Sequence, residues 1–398
     1  MLEFAGLCDP DWIKEYRARV IAAPTTEAAF EIMDELVCRL NDYHTRLSWP
    51  GKPRLVSPPV RVEPVLAKGP LPADFGIWGQ VRPPVKLPSL EGVAIALVET
   101  DKEGGLQVGD EILSVDGVPL HEALARAWCH AVGSSTAGKL RSACWRMLLG
   151  LPDSQLQIQV RRARPQGGDQ TVTAAIPRSK SLPETLISSC EQEGVPVIRI
   201  TRWTNESGQQ LAARFDQLLA RVREQPGLII DVRGNGGGQD GLADQVTGRF
   251  LRRPIIASIS FQRQVPSLTF ERSVMMTEPR GPWRYEGRVA ILTDEGSMSA
   301  CEHFVSGMIE AGALACGTPT SGACGWIRTV ELTGGLRLNV SRTFPLHTGG
   351  IPSPQLGIAP HLWAPRTLAD LRAGEDTALR AALRWVKHPQ PLPPRLQP

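Results

Sequence analysis

The chain opens with two stretches of helical periodicity. Trp12, Tyr16 and Val20 recur at fourfold spacing, and Phe30, Met33, Leu36, Val37 and Leu40 follow at threes and fours. The run Thr25-Thr26-Glu27 is a helix start, and Pro50, Gly51 and Pro53 break the pattern, so residues 1–52 read as an N-terminal helical unit. Residues 53–90 are proline-rich and read as extended strands and linker. Over 91–178 the period shortens. EGVAIALVET is a strand signal, GLQVGDEILSVDGVPL follows, and LQIQVRRARPQGGDQTVTAAIP alternates as two strands around a Gly-Gly turn. Between them, HEALARAWCHAVGSSTAGKLRSACWRMLLG reads as a long helical insert in a small β-rich domain.

From 185 to 387 strands and helices alternate. VPVIRITRW is a strand, GQQLAARFDQLLARVRE an amphipathic helix, GLIIDVRGNGGG a buried strand running into glycines, and GLADQVTGRFL another helix. RVAILTDEGSMSACEHFVSGMIEAG repeats strand, turn and helix. The segment 255–286 is poorly patterned and is expected to line a cleft; 388–398 reads as a flexible tail. The expected fold class is α/β multidomain.

Composition narrows the function. Forty-four basic and forty-one acidic side chains leave a net charge of +3, so no charged field argues for nucleic acid or an anionic membrane as partner. The start, MLEFAGLCDPDWIKEYRARV, carries Asp9, Asp11 and Glu15 where an export signal needs a basic start and an apolar run. No stretch reaches the roughly 18 apolar residues of a membrane span. A soluble, cytoplasmic protein is expected. Eight cysteines without CxxC pairs give no zinc site and read as buried, reduced thiols.

Two stretches carry candidate chemistry. In DEGSMSACEHF (294–304) an apolar strand stops and a helix begins, which places Ser299 near a helix N-terminus. Free backbone N–H groups and the positive end of the helix dipole there favour a developing oxyanion, although Ser297 or Ser299 is equally suited to capping the helix. In LIIDVRGNGGGQDG (228–241) successive glycines leave backbone N–H groups open to a ligand, or simply make a turn. No Lys-Ser/Thr follows, which argues against a phosphate cradle.

Together these stretches resemble the carboxyl-terminal processing and tricorn-core serine peptidases. GLQVGDEILSVDGVPL is similar to the PDZ motif of that family, DVRGNGGG to its glycine strip, and SMSACEHF to its SxSxxE nucleophile segment. The resemblance implies a crotonase/ClpP-like peptidase core at 185–387 and a PDZ-like peptide-binding domain at 91–178. It makes Ser299 the nucleophile, the amides of Ala300 and of Gly236 or Gly237 the oxyanion hole, and Ser297 and Glu302 supporting residues.

One branch of the family takes its base from a lysine in a GKG segment. Here GTPTSGACGW puts Ala323 and Cys324 in that place. The tricorn-like branch takes a histidine from the N-terminal unit, and LNDYHTRL is similar to its LxDGHTxL segment, so the resemblance implies His44 as base. An imidazole titrates near 6.5 and can take the serine proton and return it to a leaving amine. Where that branch has an orienting glutamate this chain has Pro354; Gln355 is the nearest polar candidate, with Ser353, Glu331 and Asp240 behind it. His303 is expected to point away from Ser299, His347 and His361 lie in late strands, and Cys301 is expected to be buried.

The resulting expectation is a serine endopeptidase acting on peptides or protein C-terminal regions through an acyl-enzyme, without metal or cofactor. A PDZ-like domain implies capture of an extended peptide by strand addition. A homo-oligomer is an open possibility. Other readings of the same residues are a catalytically weak peptide-binding protein and an acyl-enzyme transferase or cyclase.

Overall fold

The computed structural model describes residues 10–68, 83–179, 182, 184–206, 210–264, 269–347, 351–352, 357–388 and 390–394. Two compact units result. The first takes residues 1–69, 82–182 and 326–342, and the second takes 70–81, 183–325 and 343–398.

In the first unit, α1 (Pro10–Ile21) lies against α2 (Thr26–Cys38). Thr25 caps α2 by accepting the Ala28 N–H at 3.1 Å. The Tyr16 hydroxyl and the Arg19 guanidinium converge on Glu35, at 2.6 and 3.1 Å. After a turn comes β1 (Arg46–Ser48). Next, β2 (Val60–Leu66), β3 (Val93–Thr100), β4 (Glu111–Val115), β6 (Gln155–Ala163) and β7 (Asp169–Pro177) form an antiparallel sheet in that order, with β5 (Val118–Pro119) pairing β4. The turn between β6 and β7 is Gly167-Gly168, both at positive φ. The helical insert is two helices, α3 (Leu120–Cys129) and α4 (Thr136–Arg146), the second capped by Ser135.

The second unit is built on a six-stranded sheet. β8 (Ile187–Gln192) runs antiparallel to β9 (Val195–Ile200); after α5 (Leu211–Arg221), β10 (Gly227–Asp231) pairs parallel with β9 and, on its other side, with a strand further along the chain. Helix α6 (Asp240–Thr247) follows β10. The poorly patterned segment 255–286 forms a hairpin, β11 (Ile255–Arg263) with β12 (Phe270–Thr277). β13 (Arg288–Thr293), α7 (Ala300–Glu310) and β14 (Leu314–Gly317) follow.

At this point the chain leaves the second unit. β15 (Ile327–Glu331) and β16 (Arg337–Ser341) form a three-stranded antiparallel sheet with β1 in the first unit, with Leu47, Trp49 and Leu336 packed together. The sequence segmentation had placed 326–342 inside the 185–387 core. The chain returns with β17 (Thr343–His347) against β11, β18 (Ile351–Pro352), β19 (Leu362–Trp363) against β14, and helices α8 (Leu368–Ala373) and α9 (Thr377–Lys387).

The central positions of the parallel strands, 228–230 in β10 and 289–292 in β13, are all apolar because both faces are covered. Leu228 and Ile230 of β10 and Ile291 of β13 face a core shared with Phe215, Leu218, Val246, Phe304 and Met308 from α5, α6 and α7. Ile229, Ala290 and Leu292 face the opposite way, onto Ala382, Leu383 and Val386 of α9. Fully burying a Leu, Ile, Val, Phe or Met side chain in this way contributes about 1.5–3 kcal/mol.

Candidate active site

β13 ends at Thr293 and α7 begins at Ala300, so 294–299 is a strand-to-helix turn at the end of the sheet. Asp294 organises it. Its Oδ1 accepts the Gly296 N–H at 2.9 Å and the Gly234 N–H at 2.7 Å, which ties the turn to the glycine segment after β10. The Ser297 hydroxyl donates to Val232 O at 2.9 Å, and Ser297 O accepts the Ser321 N–H at 3.0 Å. Ser297 therefore supports the turn from two sides.

Ser299 caps α7 with φ 57 and ψ −124, a region that only glycine occupies readily. Holding an L-residue there costs about 1–3 kcal/mol, so the surroundings must over-determine it. They do. The Ser299 N–H donates to Ala323 O at 3.0 Å and to Glu302 Oε2 at 3.2 Å. From Val289 to Met308 every residue is buried except Ser299, which is partly exposed. The fold thus presents one hydroxyl from an otherwise closed segment, at the N-terminus of a helix.

Glu302 fastens this turn to the loop after β14. It is fully buried and its two carboxylate oxygens accept Thr320 Oγ1 (2.6 Å), the N–H groups of Gly322 and Ala323 (2.8 Å each) and Cys324 Sγ (3.1 Å), besides the Ser299 amide. Burial pushes its pKa up, and these donors pull it back only in part. Cys324 thus bonds to Glu302.

The glycine strip runs beside the serine. The Met298 N–H donates to Asn235 O at 3.0 Å, and the Trp203 N–H to Gly237 O at 2.9 Å. Gly237, at φ +86, stands so close that a Cβ on it would be 2.7 Å from Ser299 Cβ and 3.2 Å from Ala300 N. At Gly238, φ +141, a Cβ would be 2.0 Å from Trp203 O. Glycine is required at both positions. Of the two glycine amides expected as oxyanion donors, that of Gly237 already donates to Asn235 Oδ1 at 2.9 Å. Among the described residues the amides of Gly236 and Ala300 have no acceptor, and the space beside Gly236 is open.

The other sequence candidates are placed as follows. His44 is 8% exposed, in the turn between α2 and β1 of the first unit; its N–H donates to Asp42 Oδ1 at 3.1 Å. Gln355, with Ser353 and Pro354, lies outside the described residues, as does the side chain of His347. Glu331 pairs with Arg337 at 2.9 Å. His303 pairs with Asp244 of α6 at 2.8 Å, and His361 accepts the Ala315 N–H at 3.0 Å through Nδ1. Cys301 is fully buried, and burial pushes its thiol well up, which makes it inert. The expectation of buried thiols is corrected at Cys129 and Cys190, which are exposed; Cys38, Cys144, Cys316 and Cys324 are buried like Cys301.

Sequence reasoning missed three supports of the site: Asp294, Asn235, and the buried pair Asp231–Arg233. Arg233 donates to Asp231 at 2.9 and 2.7 Å and reaches Asp376, the N-cap of α9, at 2.9 Å. A polar residue at the end of an apolar strand was the available signal for Asp231 and Asp294.

Among the described residues, one group offers ligand atoms for a metal: Glu31, Asp34 and His130. The Lys52 ammonium sits 3.2 Å from Asp34 and already balances its charge.

A serine at a helix N-terminus thus stands beside a glycine strip at the end of an α/β sheet. Residues 194–362 match peptidase family S41, so this stretch is a domain of that family and the protein is a serine-type peptidase. None of the curated proteins matches the chain in sequence. Among solved structures, mature CPAF in complex with lactacystin is 16% identical at a TM-score of 0.68, covering 97% of this chain and 93% of its own. A putative peptidase from Parabacteroides merdae is also 16% identical, at a TM-score of 0.54, over 96% of this chain and 90% of its own. The photosystem II D1 C-terminal processing protease is 16% identical at 0.51, over 95% and 91%. At such identity these likenesses speak for the fold.

Proposed function

We propose that the protein is a serine endopeptidase that cleaves peptides or the C-terminal regions of proteins through an acyl-enzyme. Ser299 is the nucleophile and His44 the general base. The imidazole takes the Ser299 proton as Oγ attacks the scissile carbonyl carbon; the carbonyl oxygen becomes an oxyanion held by the N–H groups of Ala300 and Gly236. Collapse of this adduct breaks the C–N bond, with the proton passing from the imidazole to the leaving amine. Water, deprotonated by the same imidazole, then attacks the ester and frees Ser299.

The observation that carries this reading is the backbone of Ser299, held at φ 57 and ψ −124, with the Ala300 and Gly236 amides unengaged among the described residues. The sheet of β2 to β7 is read as a PDZ-like domain that receives a substrate strand, and the likeness to a C-terminal processing protease favours chain ends as substrates.

The test is labelling by a fluorophosphonate probe, followed by intact mass and peptide mapping. One adduct on Ser299, lost in Ser299→Ala and in His44→Ala, is expected. Absence of an adduct on the parent protein, under conditions that label another serine hydrolase, sinks the proposal in favour of peptide binding without catalysis. Labelling of His44→Ala at the parent rate removes His44 from the mechanism.

A further inference from the structure

The turn that carries His44 is mounted on the helical insert. α2 ends at Cys38, and the chain reverses through Asn41, which adopts φ 52. Lys139 of α4, 2% exposed, reaches into this turn: its Nζ donates to Asn41 Oδ1 at 2.9 Å and to Cys38 O at 3.4 Å, and lies 4.9 Å from the centre of the Trp128 ring. Asn41 Nδ2 donates onward to Pro83 O at 3.0 Å. Two more bonds join the same stretch to the link between α3 and α4, from Tyr43 N–H to Ser134 Oγ (3.4 Å) and from Cys38 Sγ to His130 O (3.4 Å). Asp42 continues the chain of contacts, accepting the His44 N–H and the Thr45 hydroxyl.

A buried lysine needs a reason. Desolvating an ammonium is costly, and an apolar side chain of equal length would fill the space without that cost. What lysine adds here is a cation at the C-terminal end of α2, where the helix dipole is negative, and a charge-assisted bond to the side chain of Asn41, the residue in the left-handed conformation. That turn sits three residues before the histidine.

We propose that Lys139 is a positioning residue for catalysis: its ammonium fixes the Asn41 turn and, through it, the placement of the His44 imidazole. The inference rests on His44 being the base, as proposed above. It gives the helical insert of the β-rich domain a task separate from peptide binding.

Charge is part of the device. Burial pushes the Lys139 ammonium down to about 8. Arg39, at the end of α2, opposes the charge as well. Cys38 of α2 and Cys129 of α3 face Lys139, and burial pushes both thiols up, that of Cys38 to about 12, so they are neutral where the lysine titrates.

The experiment measures the rate of Ser299 labelling by the fluorophosphonate, together with hydrogen exchange of peptides spanning 39–46, in the full chain. In Lys139→Met the labelling rate is expected to fall about tenfold or more, and exchange in 39–46 to quicken, while other peptides exchange as in the parent. Asn41→Gly, which accommodates the turn but lacks the carboxamide, should lose as much, and combining the two should add little. In the parent the rate should decline as pH rises through about 8, and Asn41→Asp, which sets a carboxylate beside the ammonium, should move that decline to higher pH. Parent-like labelling in both Lys139→Met and Asn41→Gly overturns the inference and leaves His44 as base. If His44→Ala labels like the parent, the proposed mechanism fails; in that event unchanged exchange in 39–46 overturns the mount as well, and quickened exchange supports it.

Discussion

Gly237 and Ser299 stand so close that a single methyl group on the glycine would lie 2.7 Å from the serine Cβ and 2.7 Å from the Met298 carbonyl. Backbone rather than side chain sets this distance, so relief requires moving either the strip or the nucleophile turn. Gly237→Ala adds the strain of φ +86 to that clash. We expect labelling of Ser299 to fall by about two orders of magnitude, with a stability loss of about 1–3 kcal/mol in urea unfolding. Unchanged labelling would mean that the strip does not shape the site.

Glu302 collects two backbone amides of the 320–324 loop, the Thr320 hydroxyl and the Ser299 amide. Glu302→Ala leaves those donors buried and unanswered, at a cost of about 2–4 kcal/mol. Glu302→Gln, which keeps one acceptor oxygen, should cost less. Thermal unfolding of the two variants beside the parent checks the order; an alanine variant as stable as the parent would contradict it.

Arg233 and Asp231 are both buried, and Asp376 extends the pair to α9. Burial alone would raise the Asp231 pKa, but the Arg233 charge and hydrogen bonds overcome this and hold it below the usual carboxylate range. Arg233→Met leaves the buried carboxylate with Arg199, at 3.1 Å, as its remaining cation and should destabilise the second unit by about 2–4 kcal/mol. Calorimetry reads this; a loss under about 1 kcal/mol would show that the ion pair is dispensable.

His303 responds to pH through stability. Burial lowers its pKa, but the Asp244 hydrogen bond and charge, helped by Asp240, outweigh burial and raise it above the ordinary 6.5. A raised folded-state pKa stabilises fully below 6.5, and the contribution disappears as pH climbs through the folded value. Urea unfolding from about pH 6 to about pH 9 should therefore show the parent losing stability relative to His303→Gln. A constant difference across that range would refute the pairing as a titrating one.

Much of the fold was legible where burial imposes a period. Phe215, Leu218 and Leu219 mark α5, and the apolar run 228–230 marks a strand covered on both faces. The strand β8 was missed because five of its six residues are exposed and show no alternation. The β11–β12 hairpin escaped for the same reason, since β12 exposes Phe270, Val274 and Met276 alike. In the site, Ser297, Ser299, Glu302 and the glycines could be read because their chemistry is local to two short segments. The Arg233–Asp376 contact spans 143 positions, and no local pattern encodes it.

The excursion of 326–342 has a consequence for how such a protein can be divided. The strands β15 and β16 lie in sequence within the stretch that matches the peptidase family, yet their hydrogen bonds belong with β1, near the other end of the chain. A cut after residue 182 therefore separates neither unit cleanly: the first would lack two strands of a sheet, and the second would carry them without a partner. Gene fusion, truncation or exchange of modules has no neutral breakpoint here, and the segment bearing the histidine has to be inherited with the segment bearing the serine.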